Sequence, residues 1–472
     1  MSGTSALTVL KKVEVEGMSS DGRAVARYGG VVVFIPFAAP GDIIDVKVTA
    51  KRKNFVEGTI AGFHHYSEER TDPVCPYFGT CGGCSWQYLK YSKQLEHKQA
   101  LIGDIMKRIG KIDLEEVDTI LESPGSYYYR NKLEYTFSSS RWLTGDEISS
   151  GLPADRTHAL GFHKPGFFDR VIDIHECHLQ PEPTNVIRNA VRDYALKMNL
   201  PFYNIKIHTG YLRNLIIRNT ADGQVMVIVV FSYEDRKLSA GLLDFIKKEF
   251  PSVTSLYYII NGKKNDSVTD LTPVLWHGSE YLVSEMNGFR FRVGPNSFYQ
   301  TNSMQAARLY DKIKTLASLT GNEIVYDLYT GTGTIACYVA SEAKKVIGLE
   351  YVDLAVEDAK ANAAANGIDN VDFYTGDIKQ LLGEGLFGKE GRPDVIITDP
   401  PRSGMHLDVV NEILEAGPSR IIYVSCNAST QARDIALLSE KYEVKYTGPV
   451  DMFPQTPHIE NVVLLVRRDN FR

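Results

Sequence analysis

Long hydrophobic runs are missing from this 472-residue chain. A stretch such as Val31 to Phe37 (VVVFIPF) has the length of a strand and falls well short of a membrane helix. The opening segment MSGTSALTVLKK has neither an extended apolar core nor a small-residue cleavage site, so no signal peptide is expected and a cytoplasmic location is. Cysteine is scarce. The six residues Cys75, Cys81, Cys84, Cys177, Cys337 and Cys426 in so long a chain do not make a disulfide framework. Neither sign of charge dominates: the formal net charge is −6, so the total gives no support to non-specific nucleic-acid binding, which a local basic face can still provide. Internal repeats and low-complexity tracts are also absent. What remains is an ordinary globular composition, 43% hydrophobic and 23% charged, long enough for two or three domains.

Residues 8–64 alternate short apolar runs with Gly, Asp and Pro, which predicts five strands in a small OB-like barrel. A cysteine-bearing stretch, CPYFGTCGGCSWQYLK, begins at Cys75, and a helical segment runs from Tyr91 to about Ile109. Residues 127–290 mix strands (NKLEYTFSS, LRNLIIRNT, QVMVIVVFS) with the helical KLSAGLLDFIKKEF. From about Phe291 apolar strands alternate with helices, the pattern of a mostly parallel, doubly wound sheet. Ligand and chemistry belong in the crevice beyond the carboxyl ends of such strands.

The segment Tyr326 to Ala340 (YDLYTGTGTIACYVA) reads as strand, glycine loop and helix. Gly331 and Gly333 allow a sharp turn and a close approach to a ligand. The full G-x-G-x-x-G fingerprint is lacking, so no dinucleotide pyrophosphate is demanded. Asp327 ends the first strand, and Glu350 ends the second, 23 residues on, where a carboxylate suits ribose hydroxyls. This pattern fits S-adenosylmethionine better than NAD; taken alone, it is also an ordinary glycine-rich turn. In ITDPPRSG, Asp399 ends another strand and either faces the cleft or caps a helix, two prolines stiffen the wall, and Arg402 can hold a phosphate or carboxylate.

Cys75, Cys81 and Cys84 are spaced C-x5-C-x2-C, with Cys177 far downstream. Four thiolates suit a [4Fe–4S] cluster or zinc, and spacing does not separate the two. The C-x3-C-x2-C spacing of radical enzymes is not present. Cys426, at the end of the apolar run IIYVSCN, is either a buried filler or a nucleophile at the lip of the cleft.

VSCNASTQARD, DPPRSG, GPNSFYQTN (Gly294 to Asn302) and TPHIENVVLL (Thr456 to Leu465) together resemble the RNA uridine-5-methyltransferase family, and within it the iron–sulfur 23S rRNA uracil-5-methyltransferases. One departure is Ala428, where the family has proline after Cys-Asn. The resemblance implies three parts: a TRAM (OB-like) RNA-binding barrel over residues 1–66, a central α+β domain with a four-cysteine iron–sulfur site over 67–290, and a class I, Rossmann-like methyltransferase domain over 291–472. It makes Cys426 the nucleophile that adds to uracil C6, and Glu460 the base that takes the C5 proton. S-adenosylmethionine would meet Gln300, Tyr329, Gly331, Gly333, Glu350, Asp377 and Asp399. Cys75, Cys81, Cys84 and Cys177 would hold a [4Fe–4S] cluster in a structural or RNA-positioning role. His458 either orients Glu460 or packs. The implied partner is RNA, 23S rRNA first and the T-loop of tRNA second; a monomer without membrane contact is expected. A uridine in folded RNA must leave its stack to be methylated. Arg130, Asn131 and Lys132 in YYYRNKLEY, and Lys51 to Lys53 (KRK) on the barrel, are candidates to hold the strand. Two rivals remain: a cytosine-5-methyltransferase, although its usual PPCS slot reads PPRS here, and a non-catalytic RNA-binding assembly factor on the same fold.

Overall fold

The computed structural model describes residues 8–112, 117–151, 153–383 and 385–468. Strands β1 (Val9–Met18), β2 (Ala24–Tyr28), β3 (Val31–Ile35), β4 (Ile43–Lys51) and β5 (Phe55–His65) close into a barrel in the order β1-β2-β3-β5-β4. Alternation puts Val13, Val15, Val33, Ile35, Ile44 and Val46 inside it. The expected barrel is therefore present.

The chain then crosses the cysteine stretch and enters the helix Tyr91–Arg108. Lys98 on this helix pairs with Asp451 at 2.6 Å, and neither side chain is exposed (0% each). Tyr91 Oη donates to the other oxygen of Asp451. The helix is thereby pinned to the C-terminal half of the chain.

The central sheet is built from β6 (Lys132–Ser138), β7 (Arg141–Trp142), β8 (Ala159–His163), β9 (Val171–Asp173), β10 (Leu212–Asn219), β11 (Val225–Phe231), β12 (Val253–Ile260) and β13 (Val274–Gly278). Its order is β13-β12-β11-β10-β6-β8-β9-β7. Strands β10 and β11 are buried along their whole length; β11 is unbroken apolar sequence, whereas β10 also buries Arg213, Asn214, Arg218 and Asn219. The hairpin β14 (Leu282–Met286) and β15 (Phe289–Val293) follows. Phe291 in its middle shares one core with Ile228 of the central sheet and Val325 of the next.

The third sheet contains β16 (Ile324–Leu328), β17 (Lys345–Glu350), β18 (Val371–Thr375), β19 (Val395–Thr398), β20 (Arg420–Ser425), β21 (Tyr442–Val450) and β22 (Glu460–Arg467), in the order β18-β17-β16-β19-β20-β22-β21. Strands β16 to β20 are parallel, and β22 runs antiparallel between β20 and β21. This is the expected Rossmann-like architecture. The reversal brings the start of β22 to the edge where the parallel strands end. Among the described residues no helix is long and apolar enough to cross a membrane.

Candidate active site

The glycine loop joins β16 to the helix Thr334–Ala340. Tyr329, Gly331 and Gly333 all have left-handed backbones, with φ of 64°, 56° and 74°. A Cβ on Gly333 would lie 2.9 Å from both Ala359 Cβ and Phe373 Cζ, so only glycine fits. A Cβ on Gly331 would meet nothing within 4 Å: the backbone there borders open space. Glu350 pins this loop. Its Oε2 accepts from Gly331 N at 3.0 Å, and its Oε1 accepts from Tyr351 N and Val352 N. A lone pair on Oε2 stays available to a ribose hydroxyl. Beneath the loop, Thr330 Oγ1 donates to Asp327 Oδ2 at 2.5 Å, while the buried Asp327 Oδ1 has no partner. Burial raises the Asp327 carboxyl to about 7, against the opposing Thr330 hydrogen bond and with smaller help from the charges of Asp399 and Glu350. An open glycine backbone, a ribose-competent carboxylate and an unsatisfied acceptor fit S-adenosylmethionine.

Tyr329 packs partly buried beside the loop. Burial pushes its phenol up to about 12, and the carboxylates of Asp434, Asp377 and Glu350 add to that. Asp377 itself is exposed and accepts from Lys379 N at the start of the helix Ile378–Gly383. Gln300 lies on the segment leading to the helix Ser303–Ala317. The central sheet holds this segment: Asn131 Nδ2 donates to Gln300 O at 2.8 Å, Asn131 N to Thr301 O, and Arg218 to Ser297 O. Phe298, two residues before Gln300, is 71% exposed. The family motif points to Gln300; nothing in the sequence marks the exposure of this ring.

Cys426 follows the last residue of β20, and Glu460 is the first residue of β22. Ser425 pairs with Asn461, which sets the Cys426 and Glu460 side chains at one end of neighbouring strands. Asp399 follows β19, the next strand over. It caps no helix: the helix Leu407–Ala416 is capped by His406. Glu460 is 5% exposed. Its carboxyl is raised well above the usual range, first by burial and then by the charge of Asp399, against the opposing pull of Arg402. Asp399 is raised to about 7 by burial. The Cys426 thiol is half-buried and pushed up to about 11, by burial first, then by Glu460 and Asp399. The corner thus gathers one thiol and two carboxyls of raised proton affinity, with Arg402 as the nearby cation.

The turn after Cys426 is tightly tied. Asn427 caps the helix Ala428–Leu438, and both Asn427 Nδ2 and Thr430 Oγ1 donate to Arg402 O. Ala428 is the first residue of that helix, where proline is favoured for its preset φ and alanine is a strong helix former. The departure from the family pattern therefore leaves the local fold intact. His458 is exposed and sits edge-on to Phe453 at 6.2 Å, with no hydrogen bond to Glu460 among the described residues.

Cys75, Cys81, Cys84 and Cys177 line one cavity of ≈ 200 Å³, together with Arg130 and His178. Their loops are fixed by Gln87 Oε1, which accepts from Cys75 N, and Asn185 Oδ1, which accepts from Cys177 N. Among the described residues, no three Cys, His, Asp or Glu groups converge closely enough to hold a single metal ion. Of the basic candidates, Lys132 lies directly across from Arg218 on neighbouring strands, and Lys51, Arg52 and Lys53 are exposed on the barrel.

These arrangements have known relatives. The TRAM domain family matches residues 11–61, the methyltransferase small domain 294–422, and the tRNA (Uracil-5-)-methyltransferase family 384–468. An uncharacterized RNA methyltransferase of Bacteroides thetaiotaomicron is 51% identical over 454 residues, 96% of this chain and 100% of that one. One of Porphyromonas gingivalis is 47% identical over 462 residues, 96% of this chain and 99% of that one. Among solved structures, the Pyrococcus abyssi tRNA (uracil-54, C5)-methyltransferase in complex with S-adenosyl-L-homocysteine superposes with a TM-score of 0.75 at 28% identity, covering 96% of this chain and 100% of that one. Fold and cofactor loop define a TRAM-bearing, S-adenosylmethionine-dependent RNA methyltransferase. The chain belongs to the RNA (uracil-5-)-methyltransferase family. The reading of a non-catalytic assembly factor is thereby set aside.

Proposed function

We propose that this enzyme methylates C5 of a uridine by covalent catalysis at Cys426. The observation that carries the reading is the meeting of Cys426 and Glu460 at the ends of β20 and β22, beside a glycine loop suited to the cofactor. Uracil C5 is too weak a nucleophile to take a methyl group unaided. The Cys426 thiolate adds to C6, and the C5–C6 electron pair moves into the C4 carbonyl as an enolate. S-adenosylmethionine, held by Gln300, Tyr329, Gly331, Gly333, Glu350, Asp377 and Asp399, supplies an electrophilic methyl group on a sulfonium. C5 takes that methyl. Glu460 then removes the C5 proton, the C5–C6 double bond re-forms, and Cys426 leaves C6 as thiolate. A carboxylate with a raised pKa is the stronger base for this step.

The four cysteines are proposed to hold a [4Fe–4S] cluster. A zinc ion needs its sulfurs converging at about 2.3 Å from one point. The four thiols line one cavity, and the motifs resemble the iron–sulfur branch, which is the ground for choosing the cluster over zinc. Such a cluster, ligated by four cysteines, supplies a rigid cross-link and no open iron. The proposed partition of the chain remains 1–66, 67–290 and 291–472.

The proposed substrate is 23S rRNA, in line with the iron–sulfur branch that the motifs resemble. A tRNA is the second reading, favoured by the solved tRNA (uracil-54, C5)-methyltransferase. The test is methyl transfer from labelled S-adenosylmethionine to unmodified 23S rRNA and tRNA transcripts, with the product mapped by nuclease digestion and mass spectrometry. Label at C5 of an rRNA uridine, absent with Cys426→Ala, supports the reading in full. Label on tRNA alone keeps the chemistry and changes the substrate. Label on cytidine, or a Cys426→Ala variant that still methylates, overturns it.

A further inference from the structure

Glu460 is reached through the segment Asp451 to Ile459, and one residue of that segment is held in an unfavourable conformation. Gln455 has a left-handed backbone (φ 68°) while 3% exposed. For a non-glycine residue this costs about 1–2 kcal/mol and persists where the surroundings over-determine it. They do so here. Gln455 O accepts from Ser85 N at 2.9 Å and from Trp86 N at 3.0 Å. Gln455 N donates to Gln94 Oε1 at 3.0 Å, and Gln455 Oε1 accepts from Gln94 Nε2 at 2.9 Å. Gln94 is fully buried, and its Nε2 also reaches Trp86 O and Leu89 O. Ser85 is the residue after Cys84. The two glutamines therefore tie the cysteine stretch and the helix Tyr91–Arg108 to the approach to β22.

Neighbouring contacts converge on the same short segment. Tyr129 Oη donates to Pro454 O at 3.1 Å. A Cβ on Gly22 of the barrel would come within 2.8 Å of Pro457 Cγ, and Trp86 Nε1 donates to Gly22 O. Beyond Gln455 the local ties are Thr456 Oγ1 to Phe453 O and His458 N to Thr456 Oγ1. Nothing between Thr456 and Ile459 bonds Glu460 itself among the described residues. Glu460 itself opens β22 opposite Val450 of β21, so its backbone is held by that pairing on one side and by the Gln455 anchor upstream on the other.

We propose that the Gln94–Gln455 pair is a positioning device for the proton-abstracting carboxylate, fixing the approach to Glu460 from the cysteine stretch while the pairing of β22 holds it from the sheet. This rests on the role proposed above for Glu460. A purely structural clamp would stabilise the protein without selecting a chemical step. A positioning clamp has a specific signature. When Glu460 is displaced, addition of Cys426 to C6 and methyl transfer to C5 still proceed. C5 then carries both the methyl group and its hydrogen, the proton cannot leave, and the S–C6 bond does not break. A methylated protein–RNA adduct accumulates.

The experiment compares full-length wild type with Gln94→Ala, Gln455→Gly and Glu460→Gln, using the transcript that wild type labels. Gln455→Gly accepts the left-handed backbone and removes only the bond from Gln94 Nε2 to Gln455 Oε1, keeping the backbone ties, so it tests the side-chain pair even if Gln94→Ala fails to fold. The expected result for each glutamine variant is a kcat lower by roughly tenfold to a hundredfold, the cost of about an ångström of misplacement. KM for RNA and for S-adenosylmethionine should stay within about twofold, and a denaturation-resistant adduct should accumulate as with Glu460→Gln. An adduct with Glu460→Gln but none with either glutamine variant overturns this inference alone. No adduct with Glu460→Gln overturns the assignment of the base, and the inference falls with it.

Discussion

Cys426 leaves β20 at the level where Glu460 begins β22, one step beyond the paired Ser425 and Asn461. On the proposed mechanism these two groups act on adjacent ring atoms, C6 and C5, and a reversed strand beside a parallel one is what brings them together. Cys426→Ala should therefore abolish methyl transfer and adduct formation together, while leaving S-adenosylmethionine binding within about twofold of wild type. Calorimetric titration with the cofactor, beside the transfer assay, checks both halves.

The Cys426 thiol, at about 11, is protonated in the free protein at neutral pH. Its alkylation by iodoacetamide should rise about tenfold per pH unit from pH 7 towards 11, as the thiolate fraction grows. Asp399, at about 7, is charged over this range and raises the thiol. Asp399→Asn should accordingly speed alkylation at pH 9. Mass spectrometry of the Cys426 peptide gives the rates; an unchanged rate in the variant means that this charge does not reach the sulfur.

Asp327 titrates at about 7 in the folded protein, above its ordinary value of 3.8. The folded state then binds more protons than the unfolded state between these values. Its contribution is full below about pH 4 and is lost as pH rises through about 7, with a cost on the order of a few kcal/mol at pH 8. Thermal melts of Asp327→Asn should show a shallower fall in Tm from pH 5 to pH 8 than wild type does.

Protein purified without oxygen should carry iron and acid-labile sulfide and absorb visible light. Cys177→Ser should reduce all three. Zinc without colour would assign the four cysteines to a single d¹⁰ ion instead.

Lys98 and Asp451 are both out of contact with water. Lys98→Met strands a buried carboxylate and should destabilise the protein by about 3–5 kcal/mol. Pairing it with Asp451→Leu should recover part of that loss. Denaturant titrations of the single and double variants measure the coupling.

The barrel was legible in the sequence because short apolar runs over residues 8–64 are separated by Gly, Asp and Pro. The cofactor loop was legible because Gly333 admits no side chain and Gly331 opens onto free space. The central sheet showed only as mixed strands and helices, since β7 and β9 have two and three residues, too few to show a period. Glu350 read as a ribose ligand; its three backbone bonds, which pin the glycine loop, depend on a turn that spacing does not reveal. The Gln455 clamp was invisible for a different reason. Its conformation is set by residues more than 350 positions away, as the Gln94 contact shows.

The barrel closes through β1 and β4, so it has no strand edge to offer. An extended peptide cannot dock there by adding itself to the sheet, the usual route for strand-seeking partners. Whatever the barrel grips must be met by side chains and loop tips. A polymer of bases and phosphates can be held in that way, and it carries no peptide amides that would need a free edge.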